Sequence, residues 1–230
     1  MATEISQRSA KRVRLSANEA KGIFSETVTI VVGPQGNVFH VHEDLLRESS
    51  QFFDKAMGAG WKESQDRKIT LPSDEPAIVA LYVYWLYYGA IPMSPEVTFK
   101  SAKLDDLRHV KAWILVDKLI DTKFQNAVIH AILERVNTPT KNGTPINVSR
   151  GAVNYAFENT MKGASIRRLF VDSYCWNTER DVTSFWKTEE DIPHDFLVQA
   201  VKVLVKPPFL TAKLQASNYY VQNQEEKAKG

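Results

Sequence analysis

The stretch from Val38 to Met57 changes from a strand pattern to a helical pattern, which limits the folds that this chain can adopt. Val38 to Val41 is β-branched and aromatic, as strands usually are, and His42 ends this segment. Apolar residues then follow at helical spacing: Leu45, Leu46, Phe52, Phe53, Ala56 and Met57. Ser49 or Ser50 can cap the second of two short helices, because a hydroxyl oxygen accepts from free backbone N–H groups. The stretch therefore predicts a domain in which helices pack on a sheet.

The flanking segments predict two further strands and a buried helix. Phe24 to Gly33 alternates between apolar and more polar positions, so one face of this strand is buried. The turn Gly33 to Asn37 returns the chain as an antiparallel hairpin, because proline and glycine favour tight turns. Lys68 to Leu71 is a third, short strand. Ala77 to Tyr88 is apolar on nearly every side, which predicts a central helix.

The ordered set of these segments resembles the BTB/POZ domain. The residues that carry the resemblance are Phe39, His42, Leu45, Leu46, Ser49, Ser50, Phe52 and Phe53. Trp85 to Ile91 resembles the element that closes the family's central region, and the likeness extends from about Ile23 to Lys123. It implies an α+β fold of the BTB/POZ type, a small three-stranded sheet with a cluster of helices, followed here by an α-helical extension.

The resemblance also implies a homodimer. In the family, the contact uses the first helix, here Glu43 to Glu48, and the strand before it. Leu45 and Leu46 are the candidate interface residues. They would divide their burial between the core and the interface, and the sequence leaves open which leucine takes which position.

Trp61 and Glu63 are the candidate contact with a cullin scaffold. They lie in the segment Gly58 to Gln65, which we predict to be a loop because glycines flank the tryptophan. BTB proteins that recruit a cullin carry an apolar residue, any residue and then glutamate in this loop, and Trp61-Lys62-Glu63 is similar. An aromatic anchor would fill a pocket while the acid pairs with a basic partner. The alternative is that Trp61 packs on its own domain and Glu63 is a surface charge.

The second half of the chain is predicted to be helical. Predicted helices are Leu104 to Ile120, Lys123 to Val136, Ser149 to Asn159, Ala164 to Trp176 and Pro193 to Val205. This part resembles fungal BTB-only proteins with a C-terminal helical extension. The expected organisation is a disordered basic tail at 1–22, a BTB/POZ domain at 23–122, the helical extension at 123–206 and a polar, disordered tail at 207–230.

The net charge, the longest apolar run and a basic cluster limit the cellular location and the classes of partner that we expect. A net charge of +2 over 230 residues gives no bulk electrostatic case for nucleic acid or membrane binding. The apolar run from Ile78 to Ile91 is shorter than the roughly 20 residues of a membrane span. Lys11, Arg12 and Arg14 form a basic cluster that resembles a nuclear localisation signal, with a solvated patch as the equal alternative. We therefore expect a nuclear or cytoplasmic protein.

No pattern in the sequence indicates catalysis. His40 and His42 share a strand face but lack a complete set of metal ligands. The lone Cys175 is interpreted as a small core residue, and Arg167 and Arg168 as a solvated helix face. We expect no cofactor, no metal and no enzyme activity. Two functions stay open: a homodimeric adaptor for a cullin ubiquitin ligase with an unknown substrate, or a nuclear scaffold or transcriptional regulator.

Overall fold

A small mixed sheet forms the first half of the protein. In the computed structural model, which describes residues 24–58, 60–143, 146–176, 192–205 and 214–222, the strands are β1 (Thr27–Val32), β2 (Asn37–His42) and β3 (Lys68–Leu71). The order is β2-β1-β3, with β1 antiparallel to β2 and parallel to β3. The hairpin turn places Gly33 and Gly36 at φ 71° and 68°, where glycine has no steric penalty.

Helices pack on one face of this sheet and make up most of the remaining described residues. They are α1 (Glu43–Ser49), α2 (Gln51–Ala56), α3 (Lys62–Asp66), α4 (Pro76–Tyr88), α5 (Phe99–Leu119), α6 (Thr122–Asn137), α7 (Arg150–Asn159), α8 (Ser165–Trp176) and α9 (His194–Leu204). A short 3-10 helix follows at Ala216–Tyr219. The predicted α+β class and its helical second half are confirmed.

Two predicted boundaries are wrong. The predicted loop after Gly58 contains α3, which begins one residue after Trp61. Helix α5 begins at Phe99 rather than Leu104, because Thr98 and Ser101 form a reciprocal capping box. The side chain of each residue accepts from the backbone N–H of the other, and this extends the helix by more than one turn.

The core is continuous from the sheet into the second half of the chain. Val28, Ile30 and Val32 point into it from β1 with no exposed surface, as the alternating pattern predicts. Tyr82 of α4 stacks on Phe53 at a centroid distance of 6.4 Å. Helix α5 packs against both α6 and α7, so the helices beyond residue 122 share buried surface with the first half.

Buried polar groups join elements that are distant in sequence. Asp121 caps α6 by accepting from the backbone N–H of Phe124 at 2.9 Å, and it also accepts from the hydroxyl groups of Tyr82 and Ser49. Asp106 of α5 lies 2.6 Å from the Nε of Arg135 on α6 and accepts from the backbone N–H of Ser149. Through these contacts α6 is bonded to α4 and α5, and the start of α7 is bonded to α5.

The prediction for Arg167 is wrong. Its side chain is buried rather than solvated. The guanidinium donates to the carbonyl oxygens of Phe157 and Thr160 and lies 4.8 Å from the centre of the Phe157 ring. Arg168 is exposed, as predicted. Arg167 therefore closes the turn between α7 and α8, where carbonyl groups at the end of α7 need donors.

The helices do not have the character of membrane spans. Helix α5 is long enough, at 21 residues, but charged side chains interrupt it throughout. Within the part of the chain that the structure describes, no helix combines the length and the apolar character that crossing a membrane requires.

Candidate partner-binding surface

Trp61 lies at the N-terminus of α3 with its side chain largely in solvent. Its backbone is extended, at φ −90° and ψ 147°, and its carbonyl accepts from the N–H of Gln65 at 3.3 Å. The preceding Gly60 has φ 99°, which lets the chain turn sharply into the helix. The residue is 61% exposed. A large aromatic side chain is thus presented from a fixed backbone position and does not pack into its own domain.

Glu63 lies in the first turn of α3, two residues after Trp61. Among the described residues its carboxylate has no hydrogen bond and no ion pair, so its charge is available to a partner. The helix ends at Arg67, which adopts φ 47° and returns its N–H to the carbonyl of Glu63. Arg67 also pairs with Glu43 at 2.9 Å. Helix α3 is therefore fixed to α1 at its far end, while its first turn faces solvent.

An apolar cavity of about 390 Å³ opens beside Trp61. We call it the docking groove. Its apolar lining consists of Phe52, Ala56, Trp61, Ile69 and Ile120, and its polar lining of Lys55, Glu63, Lys68 and Thr70. Concave apolar surfaces with a few charged groups at the rim are typical of recognition sites. The two predicted contact residues, Trp61 and Glu63, are both part of it.

Ile120 is a groove residue that no pattern in the sequence pointed to. It ends α5 in the left-handed region, at φ 54° and ψ 50°, and is 40% exposed. Its carbonyl accepts from Gln51 at 3.4 Å, and the adjacent Asp121 is held by its buried network. The available signal was an isoleucine placed between the last turn of one helix and the N-cap of the next.

The structure separates the two leucines of α1. Leu46 has no exposed surface in the single chain, and Leu45 is half-buried. Leu46 therefore fills the core, and only Leu45 has surface that a second copy could cover. The role of Leu45 in a dimer interface stays a prediction.

The two histidines have local partners. His42 shares a hydrogen bond between its Nδ1 and the hydroxyl of Tyr87 at 2.7 Å, which joins the end of β2 to α4. His40 lies 3.4 Å from the hydroxyl of Thr29. The described residues contain no group of three or more His, Cys, Asp or Glu side chains arranged to hold a metal ion.

Cys175 is a core residue, as the sequence indicates. It is fully buried and forms no disulfide. Burial raises the pKa of its thiol to about 12, and the nearby Asp172 contributes in the same direction. A thiol with such a pKa carries almost no thiolate at neutral pH, so it is unsuited to nucleophilic chemistry.

The candidate localisation residues Lys11, Arg12 and Arg14 lie outside the described residues, so that assignment stays a prediction. The same holds for the two tails at 1–22 and 207–230, of which the structure describes only 214–222. The remaining domain boundaries also stay predictions.

The first half of the chain thus combines a three-stranded mixed sheet, helices packed on it, and an exposed aromatic side chain beside an apolar groove. Residues 16–122 match the family model of the BTB/POZ domain, so this part of the chain is a BTB/POZ domain. Domains of this family bind other proteins and generally have no enzymatic activity. No curated protein sequence gave a match to the chain. The likeness to fungal proteins with a helical extension therefore stays a prediction.

Proposed function

We propose that the protein forms a homodimer through its BTB/POZ domain and acts as an adaptor for a cullin-type ubiquitin ligase. The observation that carries this proposal is the exposed Trp61 with the unpaired Glu63 two residues later, both at the docking groove. The aromatic residue supplies apolar contact area, and the carboxylate supplies orientation.

The energetics favour Trp61 as the dominant contact. A tryptophan side chain buries about 150–250 Å² when it is covered, and residues of this type are enriched among those that dominate interface energies. Because Trp61 is already 61% exposed, a partner can cover it without unfolding any part of α3. Glu63 contributes mainly by selecting a basic residue on the partner, because exposed ion pairs add little affinity by themselves.

The dimer would use Leu45 on the outer side of α1. Arg47, on the same helix, is paired with Glu43 at 3.2 Å and with Asp54 at 2.9 Å. These pairs hold α1 in place beside α2. A half-buried leucine on a rigid helix is suited to a symmetric contact, in which the same patch of each subunit meets its own copy.

The test of the adaptor role is binding to the amino-terminal domain of the BTB-associated cullin, followed by size-exclusion chromatography with light scattering. We expect a two-to-two complex. Trp61→Ala should weaken binding by at least about tenfold, and Glu63→Gln by about threefold. Phe99→Ala is the matched control, because Phe99 is 73% exposed and begins α5 at the opposite end from Ile120. Equal affinities for Trp61→Ala and the wild type would contradict the proposed contact.

The dimer is tested in the same runs. Leu45→Asp should shift the mass of the free protein from two chains to one, with an unchanged circular dichroism spectrum. Leu104→Asp is the control, because Leu104 is 56% exposed on α5. A wild-type protein that is monomeric at all concentrations would refute self-association. A stable dimer that does not bind the cullin would instead favour the nuclear scaffold, with Lys11, Arg12 and Arg14 as its import signal.

A further inference from the structure

The segment 214–222 packs against the helical part of the protein through its side chains. It follows α9 in the chain and includes the 3-10 helix Ala216–Tyr219, which contacts both α6 and α8. Leu214 and Tyr219 are 6% and 3% exposed, and both belong to the hydrophobic core. A short and largely irregular segment is thus seated on a surface that two helices form.

Four side chains on these two helices hold the segment. Asn126 and His130 are one helical turn apart on α6, and Arg168 and Asp172 are one turn apart on α8. Residues with this spacing share one face of a helix. We call these four residues the clamp. Together they form hydrogen bonds with each of the consecutive residues 218–221.

Two clamp residues bind the backbone of the segment rather than its side chains. The side-chain amide of Asn126 donates to the carbonyl of Val221 at 3.2 Å, and its oxygen accepts from the N–H of Val221 at 2.8 Å. A carboxamide carries both donors and an acceptor, so it can take the place of a neighbouring strand for one residue. Arg168 donates to the carbonyl of Asn218 at 3.1 Å. These bonds do not depend on which side chains stand at 218 and 221.

The two tyrosines of the segment supply selectivity. The hydroxyl of Tyr219 donates to the carboxylate of Asp172 at 2.9 Å, and the ring of Tyr219 is buried. The hydroxyl of Tyr220 shares a hydrogen bond with Nε2 of His130, and the two ring centroids are 5.7 Å apart. A small side chain at 219 would leave a cavity, and one without a hydroxyl would leave Asp172 without this donor. The clamp therefore favours two consecutive tyrosines.

The segment has open space beside it. A cavity of about 870 Å³ lies between the segment, α5 and the turn that joins α7 to α8. Tyr220 and Gln222 line this cavity from the segment, and Trp113 and Met161 line it from α5 and from the turn. Because open space adjoins the segment, it can leave the clamp without displacing α6 or α8.

We propose that the clamp is a peptide-binding site and that the segment 214–222 occupies it as an exchangeable internal ligand. Its external ligand is a segment of a partner protein in which two consecutive tyrosines are followed by an aliphatic residue. The bound segment specifies this chemistry, because the bonds of the clamp are the bonds that a replacement must form. The inference goes beyond the proposed function, since it requires neither Trp61 nor the cullin.

The test uses the full chain and a fluorescein-labelled peptide with the sequence of residues 214–222, and binding is measured by fluorescence anisotropy. The wild type should bind this peptide weakly, because a tethered competitor has a high effective concentration at the clamp. Tyr219→Ala in the protein loosens the internal segment and leaves the clamp unchanged, so the peptide should bind at least about tenfold more tightly. Tyr88→Ala is the matched control, because Tyr88 is 69% exposed on α4, and it should bind as weakly as the wild type.

Two further changes locate the bound peptide. Adding Asn126→Ala to Tyr219→Ala removes both bonds to the backbone of Val221, so the affinity should fall again by at least about tenfold. A labelled peptide with alanine at the position of Tyr219 should bind neither the wild type nor the Tyr219→Ala protein.

Tyr219 is a core residue, so the fold of the variant is compared with that of the wild type by circular dichroism and thermal melting. If Tyr219→Ala has lost its fold, Tyr219→Phe decides the question. It keeps the ring and loses only the bond to Asp172, and it should bind the peptide about threefold to tenfold more tightly than the wild type.

The remaining outcomes overturn the inference. A folded Tyr219 variant that binds the peptide no more tightly than the wild type would show that the segment is a fixed part of the fold. Tight binding that survives Asn126→Ala would place the peptide outside the clamp. Light scattering should give equal masses for Tyr219→Ala and the wild type; a lower mass for the variant would assign the clamp to the segment of a second copy. None of these measurements involves the cullin, so the proposed function is tested separately.

Discussion

His109 should make the protein sensitive to acid between about pH 4 and pH 6.5. The side chain lies on α5 with no exposed surface, and neither ring nitrogen has a hydrogen-bond partner among the described residues. Burial lowers the pKa of His109 from 6.5 to about 4, because the charged ring would lose its hydration. Asp105 opposes this shift, and Arg135 and Arg108 add to it.

The unfolded chain binds a proton at this histidine more readily than the folded protein does. In the unfolded chain the histidine is protonated below about pH 6.5, whereas in the folded protein it stays neutral until about pH 4. The neutral His109 therefore favours folding above pH 6.5. This contribution to the free energy of unfolding is lost as the pH falls from about 6.5 to about 4. At pH 5 the loss relative to neutral pH is about 2 kcal/mol, from 1.36 kcal/mol for each pKa unit.

The assay is urea denaturation of the wild type and of His109→Phe at pH 5 and pH 7.5. The phenylalanine ring has a similar shape and cannot be protonated, so the variant should lose about 2 kcal/mol less on acidification than the wild type. The contribution of Asp106 to the pH dependence of stability has the opposite sign, because burial raises the pKa of its carboxyl to about 6. Both proteins carry Asp106, so its contribution cancels in the comparison. Parallel pH profiles for the two proteins would refute the argument.

Three further predictions concern stability, each measured as the free energy of unfolding in urea. Arg135→Met should cost about 3–5 kcal/mol, because it leaves the buried carboxyl of Asp106 without its cationic partner, and adding Asp106→Leu should restore most of the loss. Asp121→Ala should cost about 2–3 kcal/mol, because α6 loses its cap and the buried hydroxyl of Tyr82 loses its acceptor. Ile120→Gly should stay within about 1 kcal/mol of the wild type, because relief of the left-handed conformation offsets the lost contacts; a loss above about 2 kcal/mol would place Ile120 in the core.

The sheet and the cap of α2 were predictable because their signals are local. The alternation in β1 and the turn at Gly33 are encoded within ten residues, and β1 has its inward positions fully buried as expected. Ser50, one of the two candidate serines, caps α2 by accepting from the N–H group three residues later. Such bonds need only residues that are close in sequence, so a sequence pattern contains the whole signal.

The error at Arg167 arises where a distant segment decides the outcome. Arg167 resembles a surface residue by type, but the end of α7 supplies carbonyl acceptors that let it be buried. Arg135 is buried in the same way by Asp106 and by the carbonyl of Ile146. No spacing in the sequence brings these groups together. The glycines around Trp61 led to a predicted loop over Gly58 to Gln65, which is wrong because α3 begins at Lys62; glycine indicates where a chain turns and does not specify the next element.

In the candidate site, too, some residues follow from a local sequence pattern and others only from contacts between distant segments. Trp61 and Glu63 were found from a three-residue pattern, whereas Ile120 and Lys68 reach the groove from elements that are far apart in the chain. Their roles depend on the end of α5 lying beside β3 and α2. A pattern search over short windows therefore finds the part of the groove that one segment supplies and misses the walls that other elements supply.

Helix α5 connects the groove to the helical part of the protein. Its C-terminal end places Ile120 at the groove, while Asp106 in its first half contacts Arg135 and the N–H of Ser149. Helices α6 and α7 both pack on it. Removing the residues after α6 would take away the N–H of Ser149 from Asp106 and uncover α5, so a truncated chain would change the groove and the stability together. Point substitutions at the groove are therefore the sharper test of partner binding, because they leave the supports of α5 intact.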